Sequence, residues 1–123
     1  MSAIGQFIAV NLDCDDPPAL AAFYQRLGGG EVTYSEESYA STELAGGATL
    51  YFQRAEGHRP STWPDPATPQ QSHLDFYVDD LDKAETLLVE MGASKPEFQP
   101  GAEKWRVLAD PAGHPFCICA RSA

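Results

Sequence analysis

One pattern occurs twice in the chain, half a length apart, and it restricts the possible folds more than any other feature. Residues 10–28 (VNLDCDDPPALAAFYQRLG) align without a gap on residues 74–92 (LDFYVDDLDKAETLLVEMG). Asp15 and Asp16 fall on Asp79 and Asp80, Leu27 on Met91, and Gly28 on Gly92. Each copy reads as an alternating strand, an acidic pair, an amphipathic helix and a closing glycine. A chain of 123 residues and 13.3 kDa is long enough for one core and too short for two independent ones, so the copies are expected to complete each other. The reading is a single domain over 1–123: repeat one at 1–55, a proline-rich connector at 56–71, and repeat two at 72–123.

Alternation over residues 6–14 puts Ile8, Val10, Leu12 and Cys14 on one strand face and Ala9, Asn11 and Asp13 on the other. Asp16 is a helix N-cap and Pro17 suits the first helical position, where an N–H would have no partner. Leu20, Phe23, Tyr24 and Leu27 form the buried stripe of a helix that Gly28 to Gly30 can end. That glycine run follows a helix instead of opening one, which makes it a poor phosphate cradle. Extended segments are expected near 31–35, 39–44 and 48–54. Pro60, Pro64, Pro66 and Pro69 around Trp63 suit neither helix nor central strand. The second copy predicts a strand over 72–78, an N-cap at Asp80 and a helix with Ala84, Leu87, Leu88 and Met91 on one stripe. Strands are then expected near 96–99, 104–109 and 115–120, the last two joined by a turn at Asp110 to Gly113. Each half reads as βαβββ, an α+β arrangement.

This order, with Asp79, Asp80, the Asp110-Pro111-Ala112-Gly113 turn and the segments HLDFYVDDL (73–81) and DPAGHPFCIC (110–119), resembles the vicinal oxygen chelate superfamily, the glyoxalase, bleomycin-resistance and dioxygenase fold. The resemblance spans essentially the whole chain and is similar in detail to glyoxalase-like proteins without an assigned activity. It implies two curved four-stranded sheets around a concave cup, helices outside, and a homodimer. With Leu74, Phe76 and Val78 turned toward the second helix, His73, Asp75 and Tyr77 face the cup, and by the repeat offset so do Ala9, Asn11 and Asp13. A purely packed interior would not carry these polar groups, because each one buried without a partner costs roughly 1–3 kcal/mol.

Metal-using members of the superfamily place four ligands, usually His and Glu, on four strands. The matching positions here are Ala9, His73, Cys117 and a place near Tyr51 or Gln53. Ala9 offers no donor, and a hard octahedral ion wants oxygen and imidazole rather than thiol. Cys117 and Cys119 stand two apart on one strand and, with His73, reach only the minimum donor count for zinc or copper, so thiols lining an apolar pocket is the preferred reading. No metal and no cofactor is expected. The predicted ligand contacts are Asn11, Asp13, Tyr51, Gln53, His73, Asp75, Tyr77, Trp105, Cys117 and Cys119. Trp105 is expected to face inward and Arg106 to reach water; His58 and His114 are read as solvated loop residues.

Eighteen acidic against eight basic residues give a net charge of −10, which repels nucleic acid and anionic membranes. Three cysteines and the absence of a basic, apolar leader point to reduced thiols and a cytoplasmic setting. The leading expectation is a metal-independent binder of a small planar or cationic molecule, such as a metabolite or antibiotic. The rivals are a lyase, isomerase or dioxygenase-type enzyme with His73 as base and Asp75 as its orienter, and a protein-association module built on the Trp63 loop.

Overall fold

A computed structural model describes residues 3–121; Met1, Ser2, Ser122 and Ala123, which the sequence reading includes in its terminal repeats, lie outside the described residues. The chain divides into two compact units, Met1–Glu56 and Gly57–Ala123.

In the first unit, strand β1 spans Val10–Cys14 and starts later than the alternation suggests, leaving Ile8 exposed. Asp16 caps helix α1 (Pro17–Gly28) by accepting from the Ala19 amide at 3.1 Å, with Pro17 in the first turn. The helix ends where Gly29 takes φ 74° and its N–H reaches the Gln25 carbonyl. Gly30 has the Glu43 carbonyl where a Cβ would stand, so the chain can turn there only with glycine. Strands β2 (Glu31–Glu36), β3 (Tyr39–Glu43) and β4 (Thr49–Arg54) complete a sheet in the order β1-β4-β3-β2, parallel only between β1 and β4. One face, with Leu12, Cys14, Ala40, Leu50 and Phe52, is buried with Leu20, Phe23 and Tyr24 of α1. Tyr24 stacks on Phe52 with ring centres 5.7 Å apart, and Thr42 satisfies its buried hydroxyl on the Ala21 carbonyl at 2.9 Å.

In the second unit, strand β5 (Leu74–Val78) leads to Asp80, which accepts from the Lys83 amide and caps helix α2 (Leu81–Glu90). Strands β6 (Trp105–Ala109) and β7 (Pro115–Ala120) follow, and the sheet order is β5-β7-β6. The strand expected near 96–99 does not form. Pro96 and Pro100 lack amide donors, and Ser94 makes only an isolated bridge to Ala109. The Gln99 side chain takes over the pairing: its amide donates to the Val107 carbonyl at 2.8 Å and accepts from the Val107 N–H at 2.9 Å. The architecture is therefore α+β, with open sheets of four and three strands.

The Asp110 turn is held by one carboxylate oxygen accepting from the amides of Ala112 and His114 at 2.8 and 3.0 Å. The proline-rich segment holds neither helix nor strand, and it packs on this turn: Pro60 fills the space beside Gly113, and His58 Nε2 lies 2.7 Å from the Ala112 carbonyl. His58 and His114 are thus half-buried neighbours with ring centres 5.3 Å apart, a correction to the solvated reading. The loop geometry that brings them together has no periodic signature. Among the described residues no helix is long and apolar enough to cross a membrane.

Candidate functional site

Period-two alternation sorts β5 into two faces. Leu74, Phe76 and Val78 are half-buried, while Asp75 and Tyr77 stand exposed, with His73 one residue before the strand. Parallel register puts Asp75 beside Cys117 and Tyr77 beside Cys119, and antiparallel register puts Val107 beside Cys117 and Trp105 beside Cys119. Direct partners share a sheet face. These side chains line a pocket of about 630 Å³ within the second unit, together with Trp63, Gln70, Pro100 and Pro115. Trp63 is held against Phe98 at 5.7 Å between ring centres. The Trp105 indole covers Gly101, where a Cβ would collide with it. Arg106 points the other way, toward α2, where it meets Asp82 at 2.7 Å and Glu85 at 3.2 Å. The Asp82 hydrogen bond raises its pKa, so it is a fixed cation tying strand to helix.

The polar end of the pocket is compact. His73 Nε2 lies 3.5 Å from Asp75 Oδ1, and the ligand atoms of His73, Asp75 and Cys117 all fall within 4.8 Å of one another. Burial first, then the Asp75 charge, the neighbouring Cys119 and a hydrogen bond with Asp75, push the Cys117 thiol up to about 11. Burial and Asp75 raise Cys119 as well. Neither sulfur is a thiolate at neutral pH, which argues against a cysteine nucleophile.

The other four predicted residues belong to the first unit. Asn11 pairs with Tyr51 and Asp13 with Gln53, so all four share the sheet face turned away from α1. Tyr51 lies 5.6 Å from Tyr39, which lies 5.7 Å from Tyr34, forming an aromatic row across three strands. Of the pocket residues absent from the sequence reading, Val107 follows from its alternation with Trp105. Gln70 sits in an aperiodic segment and had no signal.

The register also settles which residues correspond between repeats. Asn11 to Asp75 is a step of 64 residues, but their partners Tyr51 and Cys117 are 66 apart, so two residues have been added before the last strand. Tyr51, not Gln53, is the first-repeat counterpart of Cys117. The positions that the resemblance matches to the family's metal ligands, Ala9, Tyr51, His73 and Cys117, therefore carry a methyl, a phenol, an imidazole and a thiol. That set does not fit a hard octahedral ion.

A search of curated proteins returned no match. Among solved structures, a glyoxalase/bleomycin resistance protein/dioxygenase family enzyme from Burkholderia phytofirmans PsJN superposes with a TM-score of 0.68 at 21% identity, over 91% of this chain and 95% of that one. The fosfomycin resistance protein FosX from Listeria monocytogenes gives 0.70 at 17% identity, over 98% and 96%. A variant of that protein in complex with Mn(II) and a dihydroxypropylphosphonic acid gives 0.72 at 18% identity, over 98% and 93%. At these identities the likeness is one of fold. The family profile of the glyoxalase-like domain matches residues 9–119, and the chain belongs to that family, within the vicinal oxygen chelate superfamily.

Proposed function

We propose that the protein binds a small planar or cationic organic molecule, a metabolite or antibiotic, in the pocket of the second unit. The observation that carries this reading is one carboxylate, Asp75, among aromatic walls from Trp63, Tyr77 and Trp105. A volume of about 630 Å³ suits an organic ligand of drug size. An indole face attracts a flat or positively charged group, and a carboxylate beside it strengthens the preference for a positive one. Small-molecule chemistry in fold relatives, including one named for fosfomycin resistance, supports the same class of role. Binding is proposed to need no octahedral divalent ion, in keeping with the donor set at the four family positions. A homodimer, expected from the resemblance, and a cytoplasmic setting, expected from the reduced thiols, are part of the reading.

Fluorescence titration tests it. The planar cation 9-aminoacridine is expected to quench the Trp63 and Trp105 emission saturably, and about tenfold more tightly than the similarly sized anion 9-anthracenecarboxylate, a difference of ~1.4 kcal/mol. Asp75→Asn should abolish that preference, Trp105→Ala should weaken both probes, and added Mg2+ or Mn2+ should change neither. Equal affinity of both probes for the unsubstituted protein would remove the cationic part of the proposal, and no saturable quenching would remove all of it.

A second reading rests on the 3.5 Å approach of Asp75 to His73, longer than a hydrogen bond and within a small side-chain rotation of one, which would let the carboxylate orient an imidazole base. It makes the pocket that of a proton-transfer enzyme, for which a bell-shaped or sigmoidal pH–rate profile lost in His73→Gln is the expected sign.

A further inference from the structure

We infer that Gln70 reads the edge of the pocket's ligand, and that this ligand is an amino-substituted nitrogen heterocycle of the adenine type. The inference rests on the pocket reading proposed above and narrows its chemical class. Gln70 is the one carboxamide among the lining side chains, and it is half-buried. No hydrogen bond to a described residue occupies its donor or its acceptor. His73, Asp75 and Cys117 are by contrast engaged with one another. A half-desolvated amide is best satisfied by a partner that arrives with the ligand. The loop that carries Gln70 is also fixed in shape. His58 Nε2 donates to the Ala112 carbonyl at 2.7 Å, and the Ser61 N–H donates to the Gly113 carbonyl at 3.3 Å. Thr62 and Thr68 then close the loop on itself: the Thr62 N–H donates to the Thr68 carbonyl at 2.7 Å, and the Thr68 N–H to Thr62 Oγ1 at 2.8 Å. Pro69 restricts the next backbone step, so Trp63 and Gln70 reach the pocket wall on a preorganised support.

Hydrogen-bond chemistry selects the class. A carboxamide presents an N–H donor and a carbonyl acceptor side by side. Its complement is a ring nitrogen next to an exocyclic amine, which takes both bonds at once, as a glutamine does on the edge of adenine. The indoles of Trp63 and Trp105 give such a ring faces to stack on. Asp75 as a carboxylate only accepts, so it favours a ring rich in N–H groups and disfavours one edged with carbonyl oxygens or carrying negative charge. Together these groups prefer an amino heterocycle to a lactam of the same size.

Competition against 9-aminoacridine tests the inference and keeps it separable from the pocket reading. The full chain is loaded with the dye, and displacement by adenine, 6-dimethylaminopurine and hypoxanthine is followed by dye anisotropy. 6-Dimethylaminopurine stacks as adenine does but has no N–H on its exocyclic nitrogen, and hypoxanthine carries an oxygen there. Adenine is expected to displace the dye at about five- to tenfold lower concentration than either, the scale of a partly solvated hydrogen bond. Gln70→Leu should bring adenine and 6-dimethylaminopurine to the same value. Far-ultraviolet circular dichroism checks that the variant is folded, and the ratio of the two purines on the unsubstituted protein stands whatever becomes of it. Equal displacement by those two purines, no displacement by adenine, or a preference that survives in Gln70→Leu would each overturn the inference and leave the pocket reading in place. A dye that does not bind saturably would overturn both.

Discussion

Helices α1 and α2 are written on one template and buried to different depths. Tyr24 and its counterpart Leu88 are both inside, at 1% and 3% exposure, but Phe23 at 4% answers to Leu87 at 46%. Helix α1 lies across β2, β3 and β4, whereas α2 lies chiefly over β7. The second sheet is one strand short, so its helix has less apolar surface to cover. Ion pairs partly stand in: Arg106 of β6 meets Asp82 and Glu85, and Lys95 meets Glu85 at 3.0 Å. The comparison teaches that one half of the repeat is built around its core, while the other trades core for a pocket. That division agrees with where the compact donor cluster and the aromatic walls occur.

The sharpest way to break this contrast is to empty one buried place in each of the two cores. Phe52 is fully buried against Tyr24 on the central strand β4, and Phe52→Ala is expected to cost about 3–5 kcal/mol. Leu88 is the one fully buried residue of α2, and Leu88→Ala should cost less, about 2–3 kcal/mol, because a thinly packed site collapses more easily around a cavity. Urea midpoints at constant slope measure both. A larger loss from Leu88→Ala than from Phe52→Ala would reverse the assignment of core and pocket halves.

A middle-sized effect is expected where Gln99 replaces a strand. Gln99→Leu leaves the N–H and carbonyl of Val107, itself only 5% exposed, without their side-chain partner. Unmade buried hydrogen bonds cost about 1–3 kcal/mol, and water entering from the pocket side should keep the loss near ~2 kcal/mol. Hydrogen exchange at the Val107 amide should speed up in parallel. Unchanged stability and exchange would mean that the proline-bounded segment, not its side chain, closes this edge.

Most of the α+β frame was legible in sequence because it rests on local rules. The caps at Asp16 and Asp80, the stripe through Tyr24 and Leu88, and the turn at Asp110 all follow from residues within a few positions of each other. Reading 96–99 as a strand failed because Pro96 and Pro100 remove the donors a paired strand needs. Alternation identified which faces carry Asp75, Tyr77, Trp105, Cys117 and Cys119, since that is a period-two property. What it could not give was the neighbour across the sheet. Asp75 meets Cys117 only because β7 is shifted by two residues relative to the first repeat, and register is set by turn and tertiary packing. Trp63 and Gln70 reach the pocket through an aperiodic loop, for which no pattern exists.

The smallest expected effect tests that cross-strand neighbour directly. In EDTA-treated Cys119→Ser protein, the iodoacetamide rate at Cys117 should rise only at strongly alkaline pH, because burial and the Asp75 carboxylate both hold its proton on. Asp75→Asn removes the charge and leaves the burial. Since burial is the larger cause, the midpoint should move down by a fraction of the displacement and remain above the ordinary thiol range. The sign follows from the thiolate being the negative form: losing a nearby anion makes deprotonation easier. Cys14, whose thiol donates to the Gln53 carbonyl within the first unit, serves as the internal control and should keep its alkylation profile. A full return of Cys117 to ordinary behaviour would make Asp75 rather than burial the dominant cause. No shift at all would mean that β5 and β7 do not bring carboxylate and thiol together, and the contrast between a core half and a pocket half would lose its chemical content.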